Sequence, residues 1–374
     1  MPETEGPLRI AIAGGSIGGL CAGLALRGAG FDVQVYERSS GSMEPRGAGI
    51  VVQSELIDLL RTHGASALPT THCTVRRYLT PDGDEGQVQH APQDFTSWEA
   101  IYRALAEAFP ADRHHRGAAV TDFDDREGVV QAHVNGHGWV EADLLVAADG
   151  AQSPTRRRFL PDLSSTYAGY VAWRGTLDEA DAPPDLVRFF DDAFTFCEAR
   201  STGHILAYFI PGDGADPGKR RLNWVWYVGV GEADLPRLLV DRDGRQHHAS
   251  LPFGGTPDAA ISDLRDLALR EVHPMLAALV AATPQPFLQT IVDVIPTRTV
   301  FGRVCLLGDA AFVVRPHTAG ATAKAAHDAA TLARALKWAG RNVDAGLSSF
   351  EETQIGFGRK LVDYGVAIGQ RWAT

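Results

Sequence analysis

A glycine-rich turn set between two apolar strands constrains this chain more than any other feature. Leu8–Ala13 is almost wholly apolar, as a strand buried on both faces must be. Gly14-Gly15-Ser16-Ile17-Gly18-Gly19 follows, and then the Ala- and Leu-rich stretch Leu20–Ala29, which predicts a helix stopped by Gly30. Phe31–Tyr36 is a second strand, closing on Glu37. Strand, turn, helix and strand within about 30 residues make the βαβ unit of a parallel sheet. The turn fits G-x-G-x-x-G with Ser16 at the middle glycine. Gly14 supplies the tight turn and Gly19 the close helix–strand packing. Backbone N–H groups at the helix start face a pyrophosphate position that the helix dipole favours. Glu37, about 20 residues further on, is placed to accept hydrogen bonds from ribose hydroxyls. Taken alone, the turn also fits an ordinary strand–helix connection without a ligand.

Two later strand ends repeat this geometry. Asp149-Gly150 follows the apolar run Leu144–Ala148, and Gly308-Asp309 follows Cys305–Leu307. Open α/β sheets bind ligands at the carboxyl ends of their strands. The second motif runs through Arg315-Pro316-His317 into a helix start near Ala319-Gly320-Ala321. Arg38 and Arg46 flank a loop, with Gly47-Ala48-Gly49-Ile50 following it, and Arg103 lies on a helix predicted over 98–109. Each of these guanidinium groups fits either a phosphate contact or an ordinary solvated surface.

Between these elements the texture changes. Residues 73–95 carry a turn cluster, and strands are predicted at Tyr170–Gly175, Leu186–Phe190, Ile205–Pro211 and Leu222–Val230, with many aromatics. Val129–Val134 and Trp139–Leu145 read as a small antiparallel meander. Helices are predicted at 54–63, 256–283, 321–339 and 347–372. The expected fold class is α/β: a Rossmann-like domain, discontinuous over 1–72, 99–165 and 290–374. Into it is inserted a mostly antiparallel β-sheet domain, 73–98 and 166–289.

Composition narrows the function. The 374 residues hold 46 acidic and 35 basic side chains, a net charge of −11. Such a chain has no electrostatic reason to hold nucleic acid or an anionic membrane. No run approaches the roughly 18 apolar residues of a membrane span, and Met1–Pro7 lacks the basic region of a secretory signal. Cys21, Cys73, Cys197 and Cys305 are scattered, which predicts reduced buried thiols and a cytoplasmic protein. No metal-ligand spacing appears. The pairs His114-His115 and His247-His248 read as surface.

Three nucleotide-facing strand ends in this order resemble the single-component FAD-dependent aromatic hydroxylases, the p-hydroxybenzoate hydroxylase class, and the resemblance covers essentially the full chain. Within the class, Tyr167–Gly175, Asn223–Tyr227 and Arg315-Pro316-His317 are most similar to the 2,6-dihydroxypyridine hydroxylase-like members. The resemblance implies that residues 14–19 hold the FAD pyrophosphate and that Glu37 holds the adenosine ribose. It assigns Asp149-Gly150 to FAD and pyridine nucleotide, Asp309 to the ribityl chain, and Arg103 to the FAD phosphates. Val120 falls where adenine meets backbone. Gly320 and Ala321 start a helix directed at the flavin, with Pro316 and His317 beside the ring. Ser16 and Ala323 depart from the usual family residues.

The implied chemistry is largely the cofactor's. NADH or NADPH reduces FAD, O₂ gives a C4a-hydroperoxyflavin, and hydroxyl transfer follows to an activated phenol or hydroxypyridine. Tyr208 or Tyr227, with His317 opposite, is expected to polarise a ring hydroxyl. The alternatives are another flavin oxygenation, epoxidation or Baeyer–Villiger type, or an FAD-binding protein without hydroxylase activity. The expected partner is a small aromatic substrate, and a homodimer is entertained alongside a monomer.

Overall fold

The computed structural model describes residues 6–41, 49–126, 128–201, 203–340 and 342–370. Arg46, with the rest of 42–48, lies outside them. The first strand, Arg9–Ala13, sits inside a six-stranded sheet, flanked in parallel by Asp32–Glu37 and Leu144–Ala147. Val304–Leu306 and His114–Arg116 extend the sheet in parallel on either side, and Val300–Phe301 closes one edge antiparallel. The three motif-bearing strands Arg9–Ala13, Leu144–Ala147 and Val304–Leu306 are therefore adjacent and parallel. Their carboxyl ends bring residues 14–19, 149–150 and 308–309 together.

Ile17–Gly28 and Ala321–Ala339 pack against each other over this sheet. Ala22, Ala25, Ala326 and Ala329 are all in this core, and their small side chains let the two helices approach closely. Val120–Arg126, Val129–Val134 and Gly138–Ala142 form the small meander.

The second large sheet has eight strands. In order they are Phe287–Asp293, Thr166–Asp178, Arg220–Gly229, His204–Pro211, Ala193–Glu198, Thr71–Leu79, Glu85–Ser97 and Gly49–Val51. All neighbours are antiparallel except Ala193–Glu198 with Thr71–Leu79. Strand alternation divides its residues cleanly. Trp173, Trp224, Trp226 and Phe209 pack toward the helices Asp258–Glu271 and Pro274–Ala282. Tyr170, Ala172, Leu206, Tyr208, Val225 and Tyr227 occupy the opposite face.

Four local expectations are corrected. Leu186–Phe190 is not a strand but the body of the helix Pro184–Phe190, where Pro184 in the first turn fixes φ and gives up an N–H that has no partner there anyway. Trp139–Leu145 is two strands in different sheets. Asp143 breaks it, its carboxylate accepting the Arg9 N–H at 2.7 Å. His114 and His115 are not surface residues: they lie on a strand beside Val35 and Tyr36, half-buried. His247, half-buried too, bonds Asp241 Oδ2 through Nε2 at 2.7 Å. The four cysteines are buried and free of disulfides, as expected. Among the described residues no helix is long and apolar enough to cross a membrane.

Two glycines of the first turn are dictated by sterics. Gly14 has φ +107°, and a Cβ there would stand 2.3 Å from the Ala148 carbonyl oxygen. A Cβ on Gly19 would stand 1.8 Å from the Gly14 carbonyl oxygen. Ser16 needs no such freedom, being extended at φ −84°, which explains why a serine is tolerated at the middle position. Gly19→Ala is expected to push the helix off the turn, destabilising the fold by about 1–3 kcal/mol as an overpacked site does and weakening nucleotide binding. Urea unfolding and FAD titration of the variant check both.

Candidate active site

The carboxyl ends of the parallel strands and the inner face of the eight-stranded sheet enclose a cavity of about 420 Å³. Ser16, Ile17 and Gly18, Gly150, Gly308 and Asp309, and Ala321 line its nucleotide side. A smaller cavity of about 180 Å³ adjoins it, lined by Gly14, Glu37, Arg38, Val120 and Asp149. The two share Ser16, Ala148 and Gly150, so one extended ligand could run through both.

Glu37 is buried, its Oε2 accepting the Gly15 N–H at 2.7 Å and its Oε1 the Ser39 N–H at 2.8 Å. Gly15 lines neither cavity, but it leaves no room for a side chain: a Cβ would stand 2.6 Å from His114 Nε2. Arg103 is not brought into either cavity. Its guanidinium pairs with Glu99 and is more than half exposed. Gly49 and Ile50 do line the larger cavity. A Cβ on Gly49 would meet the Tyr208 hydroxyl at 2.7 Å and Asn223 Nδ2 at 2.8 Å. Gly320 caps the helix Ala321–Ala339, preceded by Ala319 in the left-handed region at φ +52°.

The Gly308-Asp309 turn is held from beneath by side chains that sequence reasoning did not single out. Lys324 and Asp328, both fully buried, pair at 2.8 Å. Lys324 Nζ also donates to the Gly308 carbonyl at 2.8 Å, while Asp328 Oδ2 accepts the Gly308 N–H at 3.1 Å and Gln354 Nε2 at 3.1 Å. Burial pushes the Asp328 carboxyl up, but the Lys324 ammonium and the bonds it receives hold it below the usual carboxylate range. From the other side the buried Arg156 donates to the carbonyls of Asp309 at 3.1 Å, Ala310 at 2.8 Å, and Ala151. Arg156 thereby ties the Asp149-Gly150 loop to the Gly308-Asp309 turn. Asp309 itself is exposed to the cavity, and the protein packed around that space raises its pKa.

The opposite wall carries Tyr208 and Tyr227. Tyr208 stacks on Phe95 with ring centroids 4.2 Å apart, and Tyr227 meets His317 edge-on at 5.6 Å. Burial pushes Tyr227 up to about 12 and Tyr208 higher still, with the Arg174 charge opposing the rise in both. Both phenols are therefore protonated at neutral pH and can donate.

His317 and Pro316 line the same space. His317 Nε2 lies 3.0 Å from the Gly365 carbonyl, which can only accept, so Nε2 carries the proton and Nδ1 faces the Tyr170 hydroxyl at 3.4 Å. Burial lowers His317 to about 4, leaving it neutral through the physiological range. Arg315 fixes this turn to the sheet. It pairs with Asp293 through Nε at 3.0 Å and Nη2 at 2.6 Å, and Nη1 donates to Tyr170 at 3.2 Å.

On the nucleotide side, the buried Asp149 Oδ1, Thr322 Oγ1 and His114 Nε2 have no hydrogen-bond partner among the described residues. With the two steric glycines, the helix N-terminus beside Ser16 and the open Asp309 carboxyl, they suit a long ligand rich in hydroxyls and phosphate. FAD fits that donor and acceptor set.

Comparison with known proteins agrees. The family described as "FAD binding domain-like" matches residues 167–293. The chain is 35% identical to 2,6-dihydroxypyridine 3-monooxygenase of Paenarthrobacter nicotinovorans, over 95% of this chain and 88% of that protein. It belongs to the FAD-dependent aromatic hydroxylases. In the same group 6-hydroxynicotinate 3-monooxygenase of Pseudomonas fluorescens is 28% identical over 89% of this chain and 83% of its own. The solved structure of 2,6-dihydroxypyridine-3-hydroxylase from Arthrobacter nicotinovorans superposes with a TM-score of 0.90 at 33% identity, covering 98% of this chain and 93% of that one. Klebsiella pneumoniae HpxO, solved with FAD and uric acid, shares the fold at a TM-score of 0.76 and 23% identity, covering 98% of this chain and 89% of its own. The protein is thus a flavoprotein monooxygenase, with FAD as cofactor and NAD(P)H and O₂ as co-substrates.

Removing the buried ammonium while leaving the carboxylate strands a charge without its partner. Lys324→Met is expected to cost about 3–5 kcal/mol and to loosen FAD. The double variant Lys324→Met/Asp328→Leu should recover part of the stability but not the FAD affinity. Denaturant midpoints and FAD titrations of both variants make the check.

Proposed function

We propose that this hydroxylase acts on a small hydroxylated N-heteroaromatic ring of the hydroxypyridine type. The observation that carries the reading is the cavity itself. It joins three FAD-facing turns to a flat wall bearing two protonated phenols, Tyr208 and Tyr227, with neutral His317 at its edge. The sequence likeness to monooxygenases of 2,6-dihydroxypyridine and 6-hydroxynicotinate supports it.

In this reading Ser16–Gly18 and the helix start hold the pyrophosphate, Glu37 and Val120 the adenosine, and Asp149, Gly150 and Asp309 the middle of the cofactor. Ala321 and Gly320 present a helix N-terminus to the flavin. FAD, when bound, supplies hydride acceptance from NAD(P)H and delivery of one oxygen atom from O₂ to the ring. The chain's own tasks are to exclude water, hold the ring flat against the cofactor and hydrogen-bond its substituents. Tyr208 and Tyr227 donate to them, and His317 is held by Gly365 and Tyr170 as a fixed, uncharged wall beside Pro316. Four free, buried thiols support a cytoplasmic setting, and light scattering decides between monomer and homodimer.

The purified protein is expected to be yellow. NADH or NADPH consumption should be stimulated by hydroxypyridines more than by phenols, with a product heavier by one oxygen atom. Colourless protein, or a product without added oxygen, would remove the reading.

Asp309 supplies a second check. Its raised pKa means that ionising it costs the apoprotein stability, a cost that sets in as pH rises from the ordinary carboxylate range through the raised value. Asp309→Asn should therefore melt higher than wild type at pH 7 without FAD, the difference vanishing below about pH 4. The same change removes a charged acceptor worth about 1.5–3 kcal/mol, so FAD should bind roughly ten-fold or more weakly. Melting curves across pH and flavin titration test the two halves separately.

A further inference from the structure

Arg174 is more than nine-tenths buried and lines the larger cavity from the sheet wall, on the same face as Tyr170 and Ala172. Val225 and Phe287 stand beside it across the two neighbouring strands. Its Nε has no hydrogen-bond partner among the described residues. Among the described residues the two other buried arginines are both satisfied, Arg315 by Asp293 and Arg156 by three carbonyls. A buried cation without a counter-charge is costly, and here it opens onto the space a substrate would fill. Among the described residues, the other titratable groups facing that space are Tyr208, Tyr227, His317 and Asp309. Asp309 belongs to the cofactor side, and the remaining three are neutral at pH 7.

We propose that Arg174 is the anion-binding residue of the substrate pocket, and that its ligand is a ring whose hydroxyl lies next to a ring nitrogen, bound as the oxyanion. The inference rests on the hydroxypyridine reading above and narrows it. Loss of the hydroxyl proton spreads the negative charge over O–C–N, a planar pair of acceptors spaced like those of a carboxylate. A guanidinium fork matches that edge with two parallel hydrogen bonds. The O–H bond breaks on binding and the proton passes to the buffer, because Tyr208, Tyr227 and His317, the neutral groups among the described lining residues, are too weakly basic to keep it. The anionic ring is also richer in electrons, as an electrophilic oxygen transfer requires. Phenols lack the nitrogen and can offer only one acceptor.

The test is equilibrium binding to the oxidised FAD-loaded enzyme without NAD(P)H, so that nothing turns over. The probes are 2,6-dihydroxypyridine, its carbon analogue resorcinol, and 2,6-dimethoxypyridine, which cannot ionise. Wild type is expected to bind the first at least ten-fold tighter than the other two. Calorimetry in two buffers of different ionisation enthalpy should show proton release below the ligand's own pKa. Arg174→Gln should abolish both the preference and the proton release with FAD content unchanged, and Arg174→Lys should restore charge attraction but not the preference over resorcinol. Equal binding of the three probes to wild type would overturn the proposal without any variant, which matters should Arg174→Gln fail to fold. So would an Arg174→Gln variant that keeps the preference, or one whose only defect is in FAD affinity. Failure of the hydroxypyridine reading would appear elsewhere, as missing oxygenated product in turnover.

Discussion

The Gly308-Asp309 turn depends on a lysine that never reaches water. Lys324 and Asp328 sit one helical turn apart and together take both backbone groups of Gly308, the N–H through the carboxylate and the carbonyl through the ammonium. The helix and the turn it serves thus come from one continuous stretch of chain. The turn is locked to the helix before any ligand arrives. Arg156 then registers the Asp149-Gly150 loop against the same turn, and Arg315 registers the following segment against the sheet wall. Three buried cations act as struts, each pinning a backbone segment that faces the cavity.

These struts explain why an open-ended sheet and a separate β-wall can form one precise pocket. A parallel sheet fixes where its strands end but not how the loops beyond them lie. The loops here are short of regular structure, and Arg156 and Lys324 satisfy the carbonyls they would otherwise bury unpaired. The substrate wall gains its order differently, by strand alternation. Each residue that turns a tryptophan toward the helices turns its neighbour toward the cavity, so the tryptophan core and the pocket are two faces of the same strands.

Much of this was legible in the amino-acid sequence. The βαβ unit with its glycine turn, the two glycine–acid turns and the long Ala-rich helix carry local signals, since apolar runs, glycines and caps act within a few residues. The face shared by Leu206, Tyr208 and Ile210 followed from period two alone. What escaped was set by tertiary contact. Leu186–Phe190 is apolar enough for a strand, and only its leading Pro183-Pro184 hinted at a helix start. Arg103 sat on a helix of the right kind but pairs with its own neighbour Glu99. Lys324 could have been noticed, as one of four lysines in the chain, spaced i,i+4 from an acid inside an apolar helix. Arg174 lay inside the Tyr167–Gly175 string that carries the family resemblance, but nothing in that string set it apart. Its meaning lies in the absence of a partner, which a linear reading does not show.

The eight-stranded wall is stitched together from distant parts of the chain. Its one parallel joint sets Ala193–Glu198 beside Thr71–Leu79, and Gly49–Val51 forms the far edge. The stretch 166–293 therefore supplies only five of the strands. Were it produced alone, Ala193–Glu198 would become a bare margin offering unpaired N–H and C=O groups to any passing strand. During synthesis the ribosome must deliver more than a hundred residues after Leu79 before that strand meets its mate, and such long-range pairings close slowly. The nascent protein thus carries a half-finished sheet for much of its birth, and its yield in a host cell should depend on chaperone capacity and temperature more than its final stability would suggest.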